Sequence, residues 1–230
     1  AGVAQSRHVI EYVANNAWSP AEAVIAALIA LPLEYLGYGM GRLVLNVRQT
    51  AADELARAGA HSSRVPDILV PGTCVGINYD SFYHLDLDGV VDAARACALA
   101  PTDETAAAAL EDARRSVREK VLDDLCRNRE LAAQGLVVLP ATSEDLYRKG
   151  GFDGLMLEVF RTIELLSGRD MAESRRALAS RAVCDRRQTL IWSLLAWEQG
   201  RSYARKQVER EQRGLQRIKD PQIVEVDMVI

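Results

Sequence analysis

Histidine, lysine and cysteine are scarce in this chain of 230 residues, which holds three His, four Lys and four Cys. His8, His61 and His84 lie far apart, so no metal-ligand spacing and no acid–base–nucleophile pattern can be read from them. Cys74, Cys97, Cys126 and Cys184 form no CxxC pair and have no His beside them. That excludes a zinc-finger spacing and a dense disulfide framework. Three of the four fall in helical patterns, where a free thiol packs as a small hydrophobe. Gly37, Gly39 and Gly41 are followed by no Lys-Ser/Thr and lie in no strand–loop–helix context, so no phosphate loop is present. The opening AGVAQSRHVIEY has no basic stretch leading into an apolar run, and no secretory signal is read there. A reducing, intracellular setting is the expectation.

Charge is balanced rather than one-sided. The net charge of −4 gives no global basic field for nucleic acid. Basic residues are almost all Arg, with Lys only at 120, 149, 206 and 219. The Arg clusters at 114–118, 175–181, 186–187 and 201–205 are interleaved with acids, and aromatics make up only 6% of residues. Mixed-sign helix faces of this kind are solvated or interfacial, and a nucleic-acid partner is not expected.

What the chain does have is a run of 25 residues, 23–47, AVIAALIALPLEYLGYGMGRLVLNV, interrupted only by Pro32, Glu34, Arg42 and Asn46. Such a run belongs in a bilayer, a partner or the protein's own core. A membrane span needs about 20 apolar residues, and a charge at its centre is costly. Glu34 and Pro32 sit mid-run, and no Lys/Arg cluster flanks the entry side. Burial against protein is the favoured reading, with peripheral membrane contact through 23–47 as an alternative. Gly37 and Gly41 form a GxxxG step, which lets two helix backbones approach closely.

Helical patterning dominates. Gln5–Ala17 reads as a short amphipathic helix. Ser19-Pro20-Ala21-Glu22 is a helix start, with Ser as cap and Pro at the first turn. The helix it opens breaks at Pro32, and a second is expected from Leu33 to about Ala58. Residues 61–88 hold turn formers and β-formers and read as loops with short strands. Helices follow over 90–99 and 102–134, then an extended LVVLP segment at 136–140, then a helix over 152–166. From Asp170 to about Lys219 the spacing by three and four, with apolar Val183, Leu190, Leu194, Trp197, Ala204, Val208, Leu215 and Ile218, predicts one very long helix with a bundle or coiled-coil seam. The tail 220–230, DPQIVEVDMVI, is β-like and has no local partner.

One segment carries a chemical pattern. Phe82-Tyr83-His84-Leu85-Asp86-Leu87-Asp88-Gly89 is an apolar stretch ending in DxDG before a helix, and it resembles the first motif of haloacid-dehalogenase-like phosphohydrolases. The resemblance implies Asp86 as nucleophile and Asp88 as general acid/base, with Mg²⁺ offsetting phosphate charge. It also implies Thr142 or Ser143, at the end of 136–143, as a phosphate holder and Lys149 as that family's lysine. The later acidic pair that the family uses for its metal has no counterpart between 150 and 220, and a chain this helical is not expected to hold the parallel sheet that aligns the motifs. The same residues also read as a helix start, with Asp88 as N-cap and Asp92 in the first turn. Asp123-Asp124 reads as a solvated helix face.

The expected architecture is therefore mainly α: a multi-helix bundle with a very long C-terminal helix and a small β element, in one domain over 1–230. Within it, 1–60 is an apolar helical hairpin, 61–88 loops and short strands, 89–219 a helical bundle, and 220–230 a β-like tail. The expected function is that of a non-enzymatic subunit of a larger assembly, cellular or viral, with protein partners or copies of itself and no cofactor. The alternatives are the Mg²⁺-dependent phosphohydrolase using Asp86 and Asp88, and the peripheral membrane protein.

Overall fold

The structure is a computed structural model that describes residue 12, residues 14–80 and residues 87–195. It is mainly α-helical with a small mixed sheet. Residues 14–17 are not helical, and the rest of the helix expected over Gln5–Ala17 lies outside the described residues.

Helix α1 (Pro20–Ala30) begins as its sequence dictates. The Ser19 hydroxyl accepts from the Glu22 amide at 3.2 Å, and the Glu22 carboxylate accepts from the Trp18 amide at 2.9 Å. It stops at Ala30, two residues before Pro32, because the residue ahead of a proline is pushed out of the helical region.

The second helix expected over Leu33–Ala58 does not form. After a single 3₁₀ turn at Leu33–Tyr35, the chain doubles back along α1. The amides of Tyr38, Gly39, Met40 and Gly41 donate to the carbonyls of Leu28, Leu31, Ile29 and Ala30 at 2.8–3.1 Å. The C-terminal carbonyls of α1, which a helix end leaves unpaired, are thereby satisfied by a folded-back loop instead of a further helical turn. This path needs left-handed backbone at Leu36, Gly39 and Gly41, and two glycines adopt it without steric cost. The GxxxG pair is therefore not on a helix. Gly37 abuts the backbone of Leu31 within one chain turn, leaving no room for a Cβ.

Four short elements follow: β1 (Val44–Leu45), β2 (Gln49–Thr50), α2 (Asp53–Arg57) and β3 (Ser63–Arg64). β2 and β3 pair antiparallel. β4 (Ile68–Leu69) and β5 (Val75–Asp80) complete the region expected to hold short strands. Helices α3 (Leu87–Leu99) and α4 (Glu104–Ala133) lead to β6 (Val137–Thr142). The main sheet runs β1-β4-β5-β6, antiparallel except for β5 and β6, which are parallel over Val75↔Val137 to Asp80↔Thr142. A parallel pair, not expected from so helical a sequence, exists because the α3–α4 hairpin serves as its crossover.

One sheet face is closed by helices. Leu45, Ile68 and Ile77 stand side by side on it and are buried, as are Val70 and Val75. Against them pack α1 (Ile25, Leu28, Ile29), the buried stripe of α6 (Gly151–Ser167; Phe152, Met156, Val159, Phe160, Ile163) and Ile191 of α8 (Arg181–Leu195). Each fully buried Ile, Leu or Phe contributes about 1.5–3 kcal/mol of transfer free energy. Ile25, Ala26, Leu28, Ile29, Ala30, Tyr38, Met40, Leu43 and Leu45 of the apolar run all lie in this core. The run is consumed by the chain's own interior and has little surface left to offer a partner. Among the described residues, no helix is long and apolar enough to cross a membrane.

The C-terminal helical region is not one helix. Between α5 (Ser143–Tyr147) and α8 come α6 and α7 (Ala172–Leu178), and the chain breaks at 179–180 before α8 starts. The Cys184 thiol donates to the Leu178 carbonyl at 3.2 Å, satisfying a group the break releases. The buried stripe of α8 is Arg187, which lies on the expected seam, with Gln188 and Ile191, each one position off it, and Leu194 is exposed. The remainder of the expected long helix and the β-like tail lie outside the described residues.

Candidate interaction surface

α3 and α4 form a helical hairpin whose chain reverses over residues 100–103. Asp103 caps α4 by accepting from the Thr105 amide at 2.8 Å, and Gly135 at φ +79 ends the turn that follows it. Pairs along one helix, Arg115–Asp112 at 3.3 Å and Lys120–Asp124 at 2.8 Å, support its exposed length. The two helices meet through half-buried Val90, Ala93 and Cys97 of α3 and Ala106, Leu110, Ala113 and Val117 of α4.

Among the described residues, the hairpin is anchored at its base. Of the 30 residues of α4, Glu130 and Leu131 alone are buried among the described residues. Arg64 of β3 grips α4 through Glu130 at 2.6 Å and Asp123 at 2.8 Å, and the His61 amide donates to Glu130 at 3.2 Å. Burial acts to raise the Glu130 carboxyl, but Arg64 and His61 outweigh it and bring it down to about 2. Arg127 of α4 pairs with Asp80 at the end of β5 at 3.1 Å.

The hairpin exposes apolar side chains along α3 and, on α4, beside this base. On α3, Leu87, Val91, Ala94 and Ala98 recur by four, three and four and are all exposed. On α4, Arg114, Arg118, Val121 and Leu125 recur in the same way. At about 100° per residue, each row lies roughly 90° from its helix's seam, turned in the same helical sense. Because the helices run antiparallel, that rotation brings both rows to one side of the hairpin. Val91 is 47% exposed and Leu125 62%. Arg114, Arg115, Arg118 and Glu111 line an open cavity of about 390 Å³ on α4. Arg114 reaches Glu111 at 3.7 Å, whereas Arg118 has no carboxylate partner among the described residues.

The residues singled out for chemistry are not assembled. Asp88 lies exposed in the first turn of α3, which starts at Leu87, so it is not the N-cap expected of it and Asp92 falls past the first turn; Asp86 lies outside the described residues. β5 ends at Asp80, so Asp88 stands inside a helix rather than just past that strand. Thr142 does end a strand parallel to β5, where its hydroxyl and amide are engaged with Asp145 in a capping box. Ser143 opens α5, and Lys149 pairs with Asp185 at 2.8 Å. Asp123 and Asp124 are tied to Arg64 and to Lys120 and Arg127. Among the described residues no three His, Cys, Asp or Glu side chains converge where they could hold a metal ion. His8 and His84 lie outside the described residues.

Two features went unseen in the sequence. The apolar rows of the hairpin fall beside its seam and look like ordinary amphipathic residues until the partner helix is placed. Arg187 falls at a seam position between apolar Val183 and Leu190, and that interruption was a usable sign of a buried cation. Comparison of the chain with family models, curated proteins and solved structures returns no match.

Proposed function

We propose that this chain is a non-enzymatic subunit of a larger protein assembly and docks through the α3–α4 hairpin. The observation that carries the reading is a 30-residue helix whose buried residues, among those described, lie only at one end, with Val121, Leu122 and Leu125 exposed beside that end and Leu87, Val91 and Leu99 exposed on α3. A helical arm of this kind gains little stability from its own fold, whereas contiguous exposed apolar surface marks an interaction site. The C-terminal segment, with its spacing by three and four from Trp197 to Ile218, is assigned a second docking role under the same reading. The test is the native mass of the full chain with whatever co-purifies. A defined complex that is lost in Val121→Asp and Leu125→Asp, with circular dichroism unchanged, supports the reading. A well-behaved monomer with no companion under all conditions sinks it.

A further inference from the structure

We infer that segment 223–229 of this chain, IVEVDMV, pairs along the outer edge of β6 and adds a strand to the main sheet. The inference is independent of the hairpin's docking role. It starts from the edges the sheet leaves open. β4 lies between β1 and β5, and β5 between β4 and β6, so neither has room for another strand. β1, β2 and β3 are two residues long, too short to hold one. Among the described residues, β6 alone offers a six-residue edge.

The ladder fixes what that edge presents. The Val137 amide donates to the Cys74 carbonyl at 2.8 Å, so residue 137 faces β5. By alternation Leu139 and Ala141 face β5 too, and Val138, Pro140 and Thr142 turn outward. The Thr142 amide is taken by the Asp145 carboxylate at 2.8 Å. The Val138 amide and the Val138 and Pro140 carbonyls are left without a partner among the described residues. Pro140 is tolerated in mid-strand because its missing amide falls on this open side. Three groups make a weak template. A free peptide or a second copy at micromolar concentration gains little from them, whereas a tethered segment acts at an effective concentration in the millimolar range. The favoured occupant therefore belongs to the same chain.

Segment 223–229 has the pattern this edge needs. Val224, Val226 and Met228 fall on one face and Glu225 and Asp227 on the other, the period of a half-buried strand. Its apolar face continues the row of Ile77 and Leu139, which pair across β5 and β6 and pack into the core. The carboxylates fall on the opposite face. Reach is no obstacle. The Trp192 indole of α8 donates to the Tyr147 carbonyl at 3.0 Å, and Tyr147 ends α5, the helix that directly follows β6. Residues 196–221 remain to span the distance from there.

The test is residue-resolved amide exchange by NMR on three proteins: the full chain, a chain ending at Pro221, and the double variant Glu225→Pro with Val226→Pro. One of those two prolines faces β6 whichever way the segment is phased. The Val138 amide is expected to exchange about tenfold or more slowly in the full chain than in either variant. The amides of Leu139 and Ala141, which face β5, should not change, and the Val138 protection should survive dilution. Equal Val138 rates in all three proteins overturn the inference, whether the amide is fast or slow. Protection that fades on dilution gives the edge to a second copy and overturns it as well. If truncation also quickens Leu139 and Ala141, the Val138 rate in the double variant decides alone. None of these results touches the hairpin reading, which is tested by the native complex.

Discussion

Arg187 of α8 donates to Asp153 of α6 across 2.5 Å, and its guanidinium is buried inside the protein. The same side chain donates to the carbonyls of Leu36 at 2.7 Å and Gly37 at 3.2 Å, and it lies 4.2 Å over the ring of Tyr38. The Tyr38 hydroxyl completes the cluster by donating to Asp153 at 2.8 Å. Burial and then the nearby Asp153 push the Tyr38 phenol well above its ordinary value. The same two causes, in the same order, push the Cys184 thiol up to about 11, so it remains neutral and poorly nucleophilic. One side chain thus ties the folded-back end of the apolar run to two C-terminal helices more than a hundred residues away.

Removing Arg187 leaves Asp153 and two loop carbonyls without their donor. Arg187→Ala is expected to cost about 3–5 kcal/mol in urea unfolding followed by tryptophan fluorescence. Arg187→Lys should recover little, because an ammonium cannot serve three acceptors in this planar arrangement. A cost under about 1 kcal/mol for the alanine variant would show that the cluster is not the clamp described.

Gly37 and Gly41 separate two kinds of glycine requirement. A Cβ on Gly37 would sit 2.0 Å from the Leu31 carbonyl oxygen, a backbone atom that cannot step aside. A Cβ on Gly41 meets nothing within 4 Å, and only its φ of +75 resists substitution. Gly37→Ala is therefore expected to cost at least about 2–3 kcal/mol, and Gly41→Ala about 1–2 kcal/mol. In thermal melts each kcal/mol moves the midpoint by roughly 2–4 °C at this chain length. Equal shifts for the two variants would contradict the close contact at residue 37.

Asp67 makes stability depend on pH in the less usual direction. It immediately precedes β4, where its carboxylate accepts from the Tyr79 amide at 2.6 Å and its own amide donates to Asn78 at 3.0 Å. Burial, reinforced by Glu22 and Asp80, raises its carboxyl from 3.8 to about 6 despite that amide and Arg127. The folded chain therefore holds this proton across a window in which the unfolded chain has released it. Its contribution to stability is complete below about pH 4, falls as pH rises to about 6, and stays lost above. Asp67→Asn keeps an acceptor for Tyr79 and removes the ionisation, so it should gain about 1–2 kcal/mol at pH 8, allowing for solvent screening, and nothing at pH 4. An unchanged slope between those values would refute the assignment.

Helices with clear ends were legible from sequence: Ser19-Pro20 opens α1, Gly135 and Gly168 follow α4 and α6, and each is where the pattern put it. The apolar run was legible as buried but not as to form. Its residues 38–40 and 43–45 each alternate buried and exposed but are out of phase across 41–42, so no single period ran through the stretch, and its apolar density and the preceding helix masked the change of form. The break at 179–180 was equally hidden, because both sides share a helical period and no proline or glycine marks it. The hairpin face could not be read at all from one helix's pattern. It exists only once antiparallel placement brings the α3 and α4 rows to one side.

Leu131 and Leu125 lie on the same helix and should behave oppositely. Leu131 is fully buried where α4 meets the body, while Leu125 is 62% exposed less than two turns earlier. Leu131→Ala opens a cavity at the anchor and is expected to cost about 2–5 kcal/mol in urea unfolding. Leu125→Asp puts a charge where water already reaches, and it should change stability by no more than about 0.5 kcal/mol. The Leu131 variant should also speed amide exchange along the last turns of α4, since that is where the hairpin is gripped. If Leu125→Asp proves as damaging as Leu131→Ala in the isolated chain, the face is already covered by this chain itself, and the docking role passes from the hairpin to another surface.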